Sequence, residues 1–165
     1  MYGSILKDSI IIRKFRPADL SEVVEVDREA SGGHHPLFLT TFYESHRETF
    51  LVAVESGRVV GFILGFKPSL LEGRIFWLAV RPSHRNRGIG RRLLISILGI
   101  FEKLGAIGVT LEVRISNIAA QSLYAGLGFQ ILSLCPYYYS DGEAAIIMRK
   151  LLLPSRITQH LSQLS

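Results

Sequence analysis

The sequence predicts a single α/β (α+β) domain in which a mixed sheet of six to seven strands carries helices on both faces. Three observations predict it. β-branched runs of strand length and amphipathic runs of helical period follow one another in the order β-α-α-β-β-β-α-β-α-β-β. The 165 residues, 48% of them hydrophobic, suffice for one core and hold no repeat, low-complexity tract or linker at which a second domain could begin. In mid-chain a strand, a glycine-containing loop and a long helix lead to another strand, a β-α-β unit whose crossover is expected to be right-handed. The domain is expected to cover residues 1–151, with residues 152–165 as a tail that forms a short helix or stays disordered.

Ser9 to Phe15 is a β-branched run suited to a first strand. Pro17 then opens a helix over Ala18 to Glu29, with Leu20, Val23, Val24 and Val26 on one stripe and Ser31-Gly32-Gly33 ending it. A turn at His34-His35-Pro36 leads to a second helix over Phe38 to Arg47; adjacent histidines cannot share one face, so they are read as solvated loop residues. Phe50 to Val54 and Val59 to Phe66 form a hairpin across Glu55-Ser56-Gly57-Arg58. Ile75 to Val80 is the next strand. The helix after it runs from about Gly88 to Leu104, with Leu93, Leu94, Ile97, Leu98, Phe101 and Leu104 facing a core and Gly105 as its stop. Val109 to Val113 is strand, and Ile118 to Leu127 is a helix capped by Asn117 and ended by Gly128. Phe129 to Leu134 and Ala144 to Met148 close a hairpin around Ser140 to Glu143.

Composition narrows the chemistry. Met1 to Asp8 has no apolar core of signal-peptide length, and the longest uncharged apolar run, Leu93 to Phe101, is about half a membrane span, so a soluble, unexported, cytoplasmic protein is expected. The single cysteine, Cys135, excludes an internal disulfide and is read as an inert core thiol; no ligand set for a metal is seen. Nineteen Lys and Arg against fourteen Asp and Glu give a formal charge of +5, which suits a polyanionic partner. The arginines form no long basic run interleaved with aromatics. Arg81, Arg85, Arg87, Arg91 and Arg92 crowd one segment instead, which fits a compact anionic ligand better than nucleic acid.

That segment, Arg85-Asn86-Arg87-Gly88-Ile89-Gly90, lies between a strand and a helix. Glycines let backbone N–H groups approach a phosphate, the first N–H groups and the dipole of the helix point at it, and Arg85, Arg87 and Arg91 add charged donors. It lacks the third glycine of a dinucleotide fingerprint and the Gly-Lys-Ser/Thr of a nucleotide-triphosphate loop. Its spacing, Arg-x-x-Gly-x-Gly, resembles the signature of the GNAT superfamily of acetyl-CoA-dependent N-acetyltransferases, and the likeness in element order extends from about Ile10 to Lys150. The resemblance implies the GNAT fold and acetyl-CoA as co-substrate, without a metal. It implies that backbone groups of Leu78, Ala79 and Val80 bind the pantetheine arm. It further implies that N–H groups of Arg85, Arg87, Gly88, Ile89, Gly90 and Arg91 hold the phosphates.

Leu111-Glu112-Val113-Arg114-Ile115-Ser116-Asn117, then Ala120 and Leu123-Tyr124-Ala125-Gly126-Leu127-Gly128-Phe129, is similar to the protein N-terminal acetyltransferase branch. That branch includes the ribosomal-protein-alanine and archaeal enzymes. Tyr138-Tyr139-Ser140-Asp141-Gly142-Glu143 resembles the branch's hairpin over the peptide site, with Ala144 departing where an Asp commonly follows. The likeness implies Glu112 as base, directly or through a water, and Tyr124 as acid and cofactor contact. Asn117 would bond the pantetheine arm, and Phe38, Tyr138 and Tyr139 would contact the substrate. The same residues have plainer readings: Glu112 as a solvated strand residue, Tyr124 as a core aromatic, Asn117 as a helix cap. Protein or peptide N-termini, ribosomal proteins among them, are the expected partners, with no nucleic acid and no membrane. An ε-amine or small-molecule acceptor, and a non-catalytic acyl-CoA-binding module, are the competing readings.

Overall fold

Eleven helices and strands, in the order the sequence predicts, make up the computed structural model, which describes residues 9–33 and 36–152. They are β1 (Ile11–Lys14), α1 (Leu20–Ser31), α2 (Pro36–Ser45), β2 (Phe50–Glu55), β3 (Arg58–Phe66), β4 (Glu72–Val80), α3 (Ile89–Lys103), β5 (Gly108–Arg114), α4 (Ile118–Ala125), β6 (Gln130–Cys135) and β7 (Ala145–Leu151). The strands form one seven-stranded sheet in the order β1-β2-β3-β4-β5-β7-β6. His34, His35 and the tail beyond Leu152 lie outside the described residues. The chain divides into two units, one holding the residues up to Leu64 and Trp77–Ile97, the other Gly65–Phe76 and everything from Leu98 onward.

In the first unit, β1 and β2 pair antiparallel from Ile11↔Val54 to Lys14↔Leu51, and β2 pairs antiparallel with β3 from Phe50↔Leu64. The β2–β3 register slips between Ala53↔Gly61 and Val54↔Val59, so Val60 is an extra residue on β3, and its carbonyl accepts the Arg81 N–H at 2.9 Å. Phe50, Val52, Phe62, Ile63 and Leu64 are all fully buried, the continuous rather than alternating pattern of strands covered on both faces. Val23 and Val26 of α1 and Leu93, Leu94 and Ile97 of α3 join this core, each such side chain stabilising the fold by about 1.5–3 kcal/mol when fully buried. Pro17 opens a short 3-10 turn over Pro17–Asp19, so α1 starts at Leu20 and not at Ala18. The Asp19 carboxylate is desolvated, but two bonds from Arg13 (2.7 and 2.8 Å) and one from the Arg16 N–H outweigh that and hold its pKa below the usual value. Gly32 ends α1 in the left-handed region, φ +90°.

In the second unit, β4 runs parallel to β5 from Glu72↔Gly108 to Ile75↔Leu111. β7 inserts between β5 and β6, antiparallel to each, from Gly108↔Leu151 to Arg114↔Ala145 and from Gln130↔Arg149 to Cys135↔Ala145. β4 begins at Glu72, ahead of the expected Ile75. Gly73 and Arg74 carry no β-branch, yet Gly73 has to be glycine: a Cβ there would stand 2.8 Å from the buried Phe101 ring. Two expectations about the core need correction. Leu104 is exposed: α3 ends at Lys103, and residue 104, though on the same stripe, falls in the terminating turn before Gly105. Cys135 is half-buried at the end of β6, the edge strand, whose Ile131, Leu132 and Leu134 are all exposed.

Candidate functional site

The loop between β4 and α3 belongs to the first unit. Asn86 and Gly88 both sit in the left-handed region, at φ +58° and +77°, which turns the chain sharply into α3. Nothing lies within 4 Å of where a Gly88 Cβ would be, so that glycine serves the backbone angle and leaves open space at the loop surface. The Gly88 carbonyl accepts the first helical bond, from the Arg92 N–H at 3.1 Å. The amides of Ile89, Gly90 and Arg91 therefore precede the first hydrogen-bonded turn, which makes them donors for an anion. Arg85 is oriented differently: its amide faces the Pro82 carbonyl at 3.4 Å, and its Nε donates to the Val80 carbonyl at 3.3 Å.

The arginines around this loop are not a uniform anion patch. Arg81 is buried, with Nε donating to the Val59 carbonyl at 3.0 Å and the guanidinium paired with Glu25 and Glu29 of α1. Arg92 donates to the Ile10 carbonyl at 2.6 Å. Arg87 forms a two-pronged ion pair with Glu55 of β2, and the same carboxylate lies 3.2 Å from His84 Nε2. Much of the clustering seen in the sequence thus cross-links the chain's own elements, leaving Arg85 and Arg91 as the loop arginines with no acidic partner among the described residues. Leu78, Ala79 and Val80 close β4 just ahead of the loop, Ala79 buried and the other two half-buried. Phe38 lies on α2, partly exposed, its ring 6.1 Å from Phe42.

The second unit holds the other candidate residues. Glu112 sits in mid β5, on the face opposite Leu111 and Val113 as alternation requires, but it is not a solvated strand residue. Its side chain is 15% exposed and is clamped by Arg74 of β4, Nη2 to Oε1 at 2.8 Å and Nε to Oε2 at 3.2 Å. Arg74 Nη2 also donates to the Tyr138 hydroxyl at 3.2 Å, so one guanidinium joins the candidate base to the tyrosine loop. Tyr124 is buried on α4, ring 5.9 Å from Phe129, and desolvation pushes its hydroxyl up to a pKa of about 12. The phenol therefore stays protonated at neutral pH. Asn117 caps α4, its Oδ1 accepting the Ala120 N–H at 3.1 Å, which leaves its amide N–H groups for a ligand.

The loop from Tyr138 to Glu143 is fastened by the motif on β5. Glu143 accepts bonds from the Ser116 Oγ (2.5 Å) and N–H (2.9 Å) and pairs with Arg114 at 2.7 Å, and these donors hold its pKa down at about 2. Arg114 also reaches Asp141 at 2.8 Å and lies 3.9 Å over the Tyr139 ring, while Tyr138 meets Tyr139 edge-on at 5.0 Å. Arg114 and Ser116, read from the sequence only as motif positions, are thus structural fasteners. Arg74 and Glu55 escaped the sequence reading. Arg74 lay just ahead of the expected Ile75–Val80 strand and offered no signal of its own; Glu55, at a polar turn, offered none either.

The model of the Acetyltransferase (GNAT) family matches residues 18–129 of this chain, well over half of it. The chain belongs to the GNAT family of acetyltransferases. An uncharacterised N-acetyltransferase of Methanocaldococcus jannaschii is 40% identical over 143 residues, 86% of this chain and 91% of the relative. An N-alpha-acetyltransferase of Sulfurisphaera tokodaii is 35% identical over 150 residues, 83% of this chain and 90% of the relative. The crystal structure of the ribosomal-protein-S18-alanine N-acetyltransferase from Escherichia coli matches with a TM-score of 0.75 at 30% identity, covering 87% of this chain and 94% of that one. The seven-stranded sheet is the GNAT fold, and this GNAT chain is an N-acetyltransferase that carries out acetyl transfer.

Proposed function

We propose that the protein transfers the acetyl group of acetyl-CoA to the α-amino group of a protein or peptide N-terminus by direct attack. The observation that carries the acceptor class is the Arg74 guanidinium bound at once to Glu112 and to Tyr138, which ties the candidate base to the tyrosine loop. The names of the Sulfurisphaera tokodaii and Escherichia coli relatives agree with it.

The β4–α3 loop fits the phosphates of CoA: its left-handed Gly88 leaves open space, the amides of Ile89, Gly90 and Arg91 precede the first helical bond, and Arg85 and Arg91 supply charge. Backbone groups of Leu78, Ala79 and Val80 and the Asn117 amide would bind the pantetheine arm. Acetyl-CoA supplies an activated thioester carbonyl. Glu112 takes the proton of the attacking ammonium, directly or through a water; an α-amino pKa near about 8 leaves only a small neutral fraction to be supplied without it. The amine nitrogen bonds to the carbonyl carbon, the C–S bond breaks, Tyr124 gives its proton to the leaving thiolate, and the second proton shed by the nitrogen restores the Tyr124 phenol. Burial keeps the Tyr124 phenol protonated at neutral pH, so its proton is present when the thiolate forms.

An acetylation assay with peptides of free and blocked N-termini tests the acceptor. Free peptides should be acetylated and blocked ones should not; turnover that survives α-amine blocking points to a lysine side chain or a small-molecule amine instead.

A further inference from the structure

We propose that Arg74 is a positioning residue of the acetyl-transfer site, one that fixes the plane of the Glu112 carboxylate and couples it to Tyr138. The proposal deepens the reading of Glu112 as the base and rests on it. Arg74 stands on β4, outside both the phosphate-loop signature and the β5–α4 motif.

The two bonds to Glu112, at 2.8 and 3.2 Å, engage both carboxylate oxygens, the arrangement by which a planar guanidinium sets a carboxylate's orientation as well as balancing its charge. Exposed pairs of this kind are loosely held. This one is stiffer: Arg74 is opposite Thr110 in the β4–β5 ladder and Glu112 is opposite Ile147 in the β5–β7 ladder, so both backbones are pinned. Each carboxylate oxygen offers about two lone-pair directions, so the clamp leaves acceptor capacity on both for a water or an amine. A free carboxylate would rotate about its last bond and spend much of its time misaimed. Arg74 cannot take the proton itself, because guanidinium is not deprotonated in proteins. Its Nη2 bond to Tyr138 at 3.2 Å means that the aim of the base and the seat of the tyrosine loop are set by one group.

Kinetics of the full-length protein with acetyl-CoA and a free peptide test this, using Arg74→Ala, Arg74→Lys, Glu112→Gln and the double variants. Arg74→Ala should lower kcat by about 10–100-fold, the scale of a misplaced catalytic group, with the Kd for CoA unchanged in calorimetry. Arg74→Lys, which keeps the charge but not the fork, should restore part of the rate and serves also if the alanine variant fails to fold. In the Glu112→Gln background either Arg74 change should cost less than about twofold, because a residue that acts through Glu112 has nothing left to aim. If Glu112→Gln is slow and the Arg74 changes cost as much there as in the parent, the proposal is overturned while the base reading stands. If Glu112→Gln keeps full rate, both fall.

Discussion

Tyr124 and Glu112 occupy opposite electrostatic settings, a phenol desolvated on a short helix and a carboxylate clamped in mid-strand by a cation. Burial raises the Tyr124 pKa, so the neutral phenol stabilises the fold below its unfolded pKa of about 10, and that contribution is lost as pH rises through about 12. An ultraviolet titration should therefore show one tyrosine ionising near pH 12, absent in Tyr124→Phe. The same substitution, and Glu112→Gln, should each lower kcat by about 10²–10⁴-fold with acetyl-CoA still bound, the usual contribution of a positioned acid or base. Both residues were legible in the sequence, because a contiguous run from Leu111 to Phe129 carries them. Arg74 was not, since its bond to Glu112 joins residues 38 positions apart and exists only once β4 and β5 are side by side.

Glycines separate two kinds of constraint along the elements. Gly88 holds a left-handed angle in open space, so Gly88→Ala should cost roughly 1–3 kcal/mol of backbone strain and raise the Kd for acetyl-CoA as the start of α3 shifts. Gly73 holds no unusual angle but faces the Phe101 ring, so Gly73→Ala should lose about 1–3 kcal/mol by overpacking and leave the Kd unchanged. Denaturant unfolding and calorimetry on the two variants distinguish them. The fastening of the tyrosine loop has its own pH signature. With the Glu143 pKa depressed to about 2, its contribution is present above the ordinary carboxylate pKa and disappears only as pH falls through about 2. The Ser116 amide should stay protected from hydrogen exchange well into acid, and Glu143→Gln should remove that protection and raise the peptide KM. Element types and order were readable from hydrophobic period and turn residues. Boundaries moved where a local device intervened: the Pro17–Asp19 turn delayed α1, and the close approach of Phe101 let Gly73 lie inside β4.

At the scale of the molecule, the count of nineteen Lys and Arg overstates the cations a ligand meets, since Arg81, Arg87, Arg114 and Arg149 are committed to Glu25 and Glu29, Glu55, Glu143 and Asp141, and Glu72. Binding of acetyl-CoA by the folded state alone should still register globally. At a concentration 100 times its Kd a ligand stabilises by about 2.7 kcal/mol, a Tm increase of roughly 5–10 °C for a chain of this size. Scanning calorimetry checks it, and an unshifted Tm would count against the β4–α3 loop as a CoA site. The sheet itself ends at β6, where Ile131, Leu132 and Leu134 are exposed and a register slip between Ile131 and Ser133 leaves Leu132 unmatched on β7. Such an irregularity breaks the regular row of free N–H and C=O groups on which another chain's strand would build. An exposed apolar edge is a general hazard for strand addition, so a deletion of Leu132 that restored the regular ladder should raise aggregation, as light scattering would show.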